Sequence, residues 1–229
     1  MLNAPWLREI RAIIFDMDGL LLDSERVALA VVAESAAEMG LPWRPEVGLA
    51  MVGLNSRDSD AIVRQHMGED FPITALRAAF GARYEAAIDA GRIPAKPGVG
   101  ELLDVLDARA LPRAVATSTR RSRAIMKLEQ VGIAHRMHHL VGGDEVSRGK
   151  PNPEIFLTAA QRLRVEPRHC LVLEDSNAGA RGGLAAGMRV VVVPDLLAPA
   201  DDVLAAGATV VESLHRVATA LHNLENHAP

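Results

Sequence analysis

The sequence predicts an α/β fold: a parallel sheet core with helices on both faces, plus one inserted all-α domain. Three observations carry that expectation. Short β-branched apolar runs alternate with helical patterns along most of the chain, the signature of right-handed strand–helix–strand units. The runs are apolar throughout instead of alternating, as strands buried on both faces must be. The rhythm breaks once, over residues 23–94, where helical periodicity continues and no strand is legible.

In chain order, the strand candidates are Arg11–Phe15, Arg113–Thr117, His138–Gly142, Cys170–Glu174, Arg189–Pro194 and, with the weakest pattern, Thr209–Glu212. Helical patterns fall at Gly98–Arg109, Arg120–Val131, Pro153–Leu163, Asn177–Ala186 and Leu214–Glu225. Inside the insertion, Ser24–Met39 sets Ala28, Leu29, Val32, Ala33 and Ala36 at helical spacing, with Asp23 or Ser24 as N-cap and Gly40 as the stop. Ser56–Met67 and Thr74–Ala90 read as further helices, separated by Gly68 and Pro72. Lys96-Pro97-Gly98 then restores the alternation. The expected domains are a core of residues 1–22 and 95–229 and a helical insertion of residues 23–94.

Composition sets outer limits. The 229 residues suffice for a core domain plus a smaller one, and 49% hydrophobic with 24% charged residues is an ordinary globular balance. A formal charge of −4 gives no electrostatic reason to expect nucleic acid or an anionic membrane as partner. Apolar runs such as Val190–Val193 are far too short to span a bilayer, and the N-terminal MLNAPWLREIR has no secretory h-region. Cys170 is the single cysteine, which excludes an internal disulfide, fits a reducing cytoplasm and reads as a small buried hydrophobe. Only three of the 25 basic residues are lysines (Lys96, Lys127 and Lys150), so each lysine invites inspection. The expected state is a cytoplasmic monomer or weak homodimer.

Ligands of open parallel sheets bind outside the carboxyl ends of the strands. At those ends stand Asp16-Met17-Asp18-Gly19, Thr117-Ser118-Thr119, Gly149-Lys150-Pro151 and Glu174-Asp175-Ser176. Crowded carboxylates need a cation, and hard oxygen ligands suit Mg²⁺, which keeps waters and takes a phosphate oxygen. An ionised Asp16 could then attack phosphorus, while Lys150 and donors around Thr117 neutralise phosphate charge. Asp18 could protonate the leaving oxygen and later deprotonate water; for that its side chain stays off the metal while its carbonyl binds it. Gly19 permits the sharp turn that follows.

The segments IIFDMDGLLLDSE, AVATST, GKPNPEIF and LVLEDSNAGARGGLAAGMRVVVVPD, in this order, resemble the haloacid dehalogenase superfamily. The likeness is to its Rossmann-like phosphatases with a helical cap after the first strand, near the β-phosphoglucomutase and phosphoglycolate phosphatase branch. The resemblance spans nearly the whole chain and is weakest over residues 24–96. It implies Asp16 as nucleophile, Asp18 as acid/base, Thr117 and Lys150 as phosphate ligands, and Glu174 and Asp175 as metal acids. Asp175 would be the direct ligand and Glu174 could act through water. Gly19, Ser118 and Thr119 would border the substrate. In the cap, VGLNSRDS resembles a substrate-facing loop, making Arg57 a candidate for an anionic group or sugar hydroxyls, with Asn55 and Ser56 beside it; a helix-start role for Arg57 and Ser56 is the alternative.

An acid at position 18 argues against dehalogenation, which needs no leaving-group proton. β-Phosphoglucomutases carry a histidine twelve residues after the nucleophile, where this chain has Ala28; their cap lysine also lacks a counterpart near Tyr84–Ala86. The expected activity is therefore Mg²⁺-dependent hydrolysis of a small phosphorylated metabolite such as a sugar phosphate. A sugar phosphomutase and a non-catalytic Mg²⁺/phosphate-binding regulator are the alternatives. LLLDSERV also resembles the pseudouridine-phosphate phosphatases without fixing a substrate. His135, His138 and His139 read as surface or strand-edge residues, since no acid or cysteine stands at ligand spacing beside them. Gly179, Gly182, Gly183 and Gly187 read as helix–sheet packing positions, and Arg120, Arg121 and Arg123 as a solvated helix face.

Overall fold

Six parallel strands form one sheet in the order β3-β2-β1-β4-β5-β6: β1 (Ala12–Phe15), β2 (Arg113–Ala116), β3 (His139–Val141), β4 (Cys170–Glu174), β5 (Arg189–Val192) and β6 (Thr209–Val210). This computed structural model describes residues 5–52 and 56–224; the side chains of residues 5, 56 and 57 also lie outside that description. The chain divides into two compact units, residues 1–22 with 95–229 and residues 23–94. Each strand stands where the apolar runs predict it, with ends trimmed where the chain turns away.

The order reverses between β1 and β4, because β2 and β3 are added on one side and β5 and β6 on the other. Phe15 pairs with both Val115 and Leu173, so Asp16 leaves the sheet at the topological switch point. Side chains alternate between the faces. Ala12 and Ile14 join Ala114, Val141, Val172 and Val190 in one cluster with Ile155, Phe156 and Ala159 of α7 (Glu154–Leu163) and Ala180 of α8 (Asn177–Ala185). Ile13 and Phe15 therefore point to the other face, and both are fully buried. Two helices of this unit pack together, α5 (Val99–Ala108) and α10 (Leu214–His222). Gly183 lets α8 approach β4 and β5, since a Cβ there would press on Val172 and Val190. The glycine-rich stretch is thus a packing device, as its sequence position suggests.

β3 is an edge strand, and its exposed carbonyl is covered. Leu140 O accepts hydrogen bonds from Arg121 of α6 (Arg121–Gln130) and from Arg162 of α7, at 2.5 and 2.7 Å. Both arginines also pair with Glu145. Arg121 is therefore not a mere solvated charge, as its helix pattern suggests, but part of a brace that blocks further strand pairing. His135, His138 and His139 are exposed, at the same edge.

Residues 23–94 form helices α1 (Ser24–Glu38), α2 (Pro45–Met51), α3 (Ser56–Met67) and α4 (Ile73–Asp89). Asp23 is the N-cap of α1, but its carboxylate accepts from Arg26 and not from the helix amides. Gly40 takes φ +65° just beyond the helix, the left-handed geometry of a stop. α1 packs on α4 through Val32, Ala36 and Leu76; Val47, Val63 and Ile73 form a second cluster, and Trp43 packs on both. α2 was not legible in the sequence, being only two turns long and started by Pro45. The short α9 (Asp201–Ala205), at five residues, is likewise too brief to show a helical period in the sequence. Among the described residues no helix is long and apolar enough to cross a membrane.

Leu103 on α5 is fully buried, so Leu103→Ala is expected to lower stability by about 2–5 kcal/mol. Urea unfolding checks this through a fall in midpoint at unchanged slope. Cys170 is buried at the head of β4, and burial pushes its thiol up to about 11. The native protein is accordingly expected to resist thiol reagents at pH 8 and to react once unfolded in urea.

Candidate active site

Four loops leave the carboxyl ends of the central strands and bring their polar side chains together. β1 delivers Asp16, which is 7% exposed, and β4 delivers Glu174, which is fully buried. Asp175 follows Glu174 in the next loop. Oxygens of Asp16, Glu174 and Asp175 all lie within 4.8 Å of one another, the one such group of potential metal-ligating side chains among the described residues.

One ammonium stands among them. Lys150 Nζ donates to Asp16 Oδ1 and, at 2.6 Å, to Glu174 Oε1. Its amine also lies 5.1 Å from the centre of the buried Phe156 ring. Burial works against the charge on Lys150, but Asp16 and Glu174 outweigh it and raise its pKa. Glu174 is saturated with donors: its second oxygen accepts from the amides of Asp175 and Ser176 and from the Ser176 hydroxyl. Asp175 is the opposite case, because its buried Oδ1 has no hydrogen-bond partner.

The charges do not balance. Burial pushes Asp16 up to about 8, with Lys150 opposing and Glu174 and Asp18 adding to the rise. Burial likewise pushes Asp175 up to about 9, reinforced by Asp16 and Glu174. Three crowded carboxylates share one ammonium, so the protein alone resists ionising all three. A hard divalent cation beside Asp16 and the orphaned Asp175 oxygen would keep both ionised, and the all-oxygen donor set fits Mg²⁺.

Glycines make the crowding possible. Gly19 has φ +88°, and a Cβ there would run into the Asp175 carboxylate. Its amide donates to Leu22 O at 2.9 Å, closing the turn after Asp18. A Cβ on Gly179, in the first turn of α8, would occupy the space of the Glu174 carboxylate.

Asp18 is held apart from this cluster. Its Oδ2 accepts from the Thr119 hydroxyl at 2.6 Å and its Oδ1 from Lys127 Nζ at 2.8 Å. Thr117 is buried at the end of β2, and its hydroxyl accepts from the Thr119 amide at 3.0 Å. Ser118 is exposed. Lys127, on α6, belongs to the site although no motif marks it; the scarcity of lysine was the one signal. Asn55 lies outside the described residues, as do the side chains of Ser56 and Arg57.

Residues 13–193, which include every one of these core groups, match the Haloacid dehalogenase-like hydrolase family. The chain belongs to that family. It is 34% identical over 207 residues to Protein CbbY of Rhodobacter capsulatus, covering 86% of this chain and 91% of the relative. It is 28% identical over 179 residues to a phosphorylated carbohydrates phosphatase of Thermotoga maritima, covering 78% and 82%. Among solved structures, a family hydrolase from Deinococcus radiodurans with bound phosphate and sodium superimposes with a TM-score of 0.81 at 30% identity, covering 96% of this chain and 99% of that one. The family's parallel sheet is thus shared along almost the full length.

Both crowding glycines are testable. Gly19→Ala forces a left-handed alanine, costing at least ~1 kcal/mol, and displaces Asp175. Gly179→Ala displaces Glu174. Both variants are expected to fold, with lowered melting temperature and weakened Mg²⁺ binding by calorimetry.

Proposed function

We propose that the chain is a Mg²⁺-dependent phosphomonoesterase that works through a phospho-Asp16 intermediate on a small sugar-phosphate-like metabolite. At the coarser level it is a phosphatase of the haloacid dehalogenase family for small phosphorylated metabolites, as the family match and the phosphatase named among its relatives support. The observation that carries the finer reading is the separation of two carboxylates only two residues apart. Asp16 belongs to the cation-demanding cluster, while Asp18 is held by Thr119 and Lys127.

In this reading the side chains of Asp16 and Asp175 and the carbonyl of Asp18 would hold the metal, and Glu174 would support it through water. When bound, Mg²⁺ neutralises the acid cluster and the charge on the phosphoryl group. An Asp16 oxygen attacks phosphorus as the bond to the leaving oxygen breaks, and Asp18 gives its proton to that oxygen. Water then attacks the phosphoryl group, passes its proton to Asp18, and the bond to Asp16 breaks to regenerate the carboxylate. Lys150 and the Thr117 loop offset phosphate charge in both steps. Ala28 offers no imidazole to retain a sugar acceptor, which supports water in that role. Choice of substrate is assigned to residues 23–94, with Arg57, Asn55 and Ser56 as candidates.

A screen of phosphorylated sugars, nucleotides and glycolate for Mg²⁺-dependent phosphate release tests the proposal. Asp16→Asn should cut turnover on the order of 10⁴-fold or more, and EDTA should abolish it. Turnover that survives both changes would refute the mechanism. With Asp18→Asn and an aryl phosphate whose leaving group needs no proton, labelled phosphate should stay on the enzyme after acid quench.

A further inference from the structure

We propose that Lys127 is a positioning residue: with Thr119 it fixes the Asp18 carboxylate in its acid/base orientation and keeps it off the metal. The inference rests on the phospho-Asp16 reading given above and assigns a role to a residue outside its motifs.

The starting point is electrostatic. Lys127 sits in the last turn of α6 and is only 5% exposed. A buried ammonium costs several kcal/mol unless it meets an anion, and Asp18 provides one at 2.8 Å. The surface of this protein is served by arginine, so a lysine at such a position is a compact point charge placed on one oxygen.

The second hold is equally local. Thr119 donates its hydroxyl to the other Asp18 oxygen, and Thr119 is itself fixed on two sides. Its amide donates to Thr117 Oγ1 and its carbonyl accepts from the Gly143 amide, each at 3.0 Å. Gly143 must lack a side chain, since a Cβ there would collide with the Ser118 carbonyl. The β2–α6 segment therefore grips each Asp18 oxygen from a braced position.

The consequence is chemical. Asp18 is two residues from Asp16, and its carboxylate does not join the group of Asp16, Glu174 and Asp175. Without Lys127 the carboxylate loses the hold on its Oδ1, and a turn toward a bound cation would make a ligand of the group that must carry a proton. Lys127 thus preserves the division of labour between the two aspartates. All of these groups belong to the unit of residues 1–22 and 95–229.

The test compares leaving groups. A nitrophenyl phosphate leaves without a proton, whereas an alkyl phosphate needs one from Asp18. Lys127→Met should lower kcat for an alkyl phosphate by ~10²-fold with little change in KM. With p-nitrophenyl phosphate the same variant should release one equivalent of nitrophenol in a burst and leave label on Asp16 after acid quench. Lys127→Arg should restore part of the alkyl-phosphate rate. Thr119→Val, which frees the other oxygen, should reproduce the pattern more weakly and guards against misfolding of the lysine variant. Equal loss on both substrates without a burst, in folded Lys127→Met and Thr119→Val, would overturn the inference while leaving the phospho-Asp16 reading intact. Failure of Asp18→Asn to retain label from p-nitrophenyl phosphate after acid quench would overturn that reading and the inference with it.

Discussion

The contact of Lys150 with Asp16 and Glu174 is the constraint on which the site depends. It lies at the switch between β1 and β4, the one place where the sheet opens a crevice above adjacent strand ends. A single ammonium ties the lysine loop to both strands, and Phe156 supports it from the apolar side. Yet one positive charge cannot satisfy three carboxylates in a buried setting. The shortfall is a standing demand for a second cation, and it falls on Asp175, whose Oδ1 is buried without a partner. Glu174, by contrast, is so well supplied with donors that its part is to orient its neighbours.

The lysines extend this logic. Each of the three ends on a carboxylate: Lys150 on Asp16 and Glu174, Lys127 on Asp18, and Lys96 on the buried Asp195 at 2.5 Å. Arginines carry the peripheral pairs, such as Arg181 with Asp202 and Arg162 with Glu145. Where a buried oxygen needs one compact charge this chain uses lysine, and where a surface or edge needs a fork it uses arginine. Asp16 and Asp18, the two aspartates of the proposed mechanism, thereby meet separate lysines.

Much of this was legible in the sequence because each element announced itself locally. Unbroken apolar runs located the strands, and carboxylates at their ends located Asp16, Glu174 and Asp175. The insertion was visible from the loss of strands over residues 23–94. What escaped was non-local. Lys127 lies in an ordinary helical pattern, and only the fold brings it to Asp18, 109 residues away. The need for Gly19 looked like turn geometry alone, whereas Asp175 also crowds its α-carbon. The Arg121–Glu145–Arg162 brace depends on which strand lies at the sheet edge, a matter of topology that periodicity does not contain.

The central claim, that the acid cluster is frustrated until a cation enters it, is tested most directly by thermal unfolding of wild type and Asp175→Asn with and without Mg²⁺. Removing one like charge should make the metal-free variant more stable than metal-free wild type. Mg²⁺ should then raise the melting temperature of wild type and leave the variant unmoved. A variant that is less stable without metal and still responds to Mg²⁺ would contradict the account.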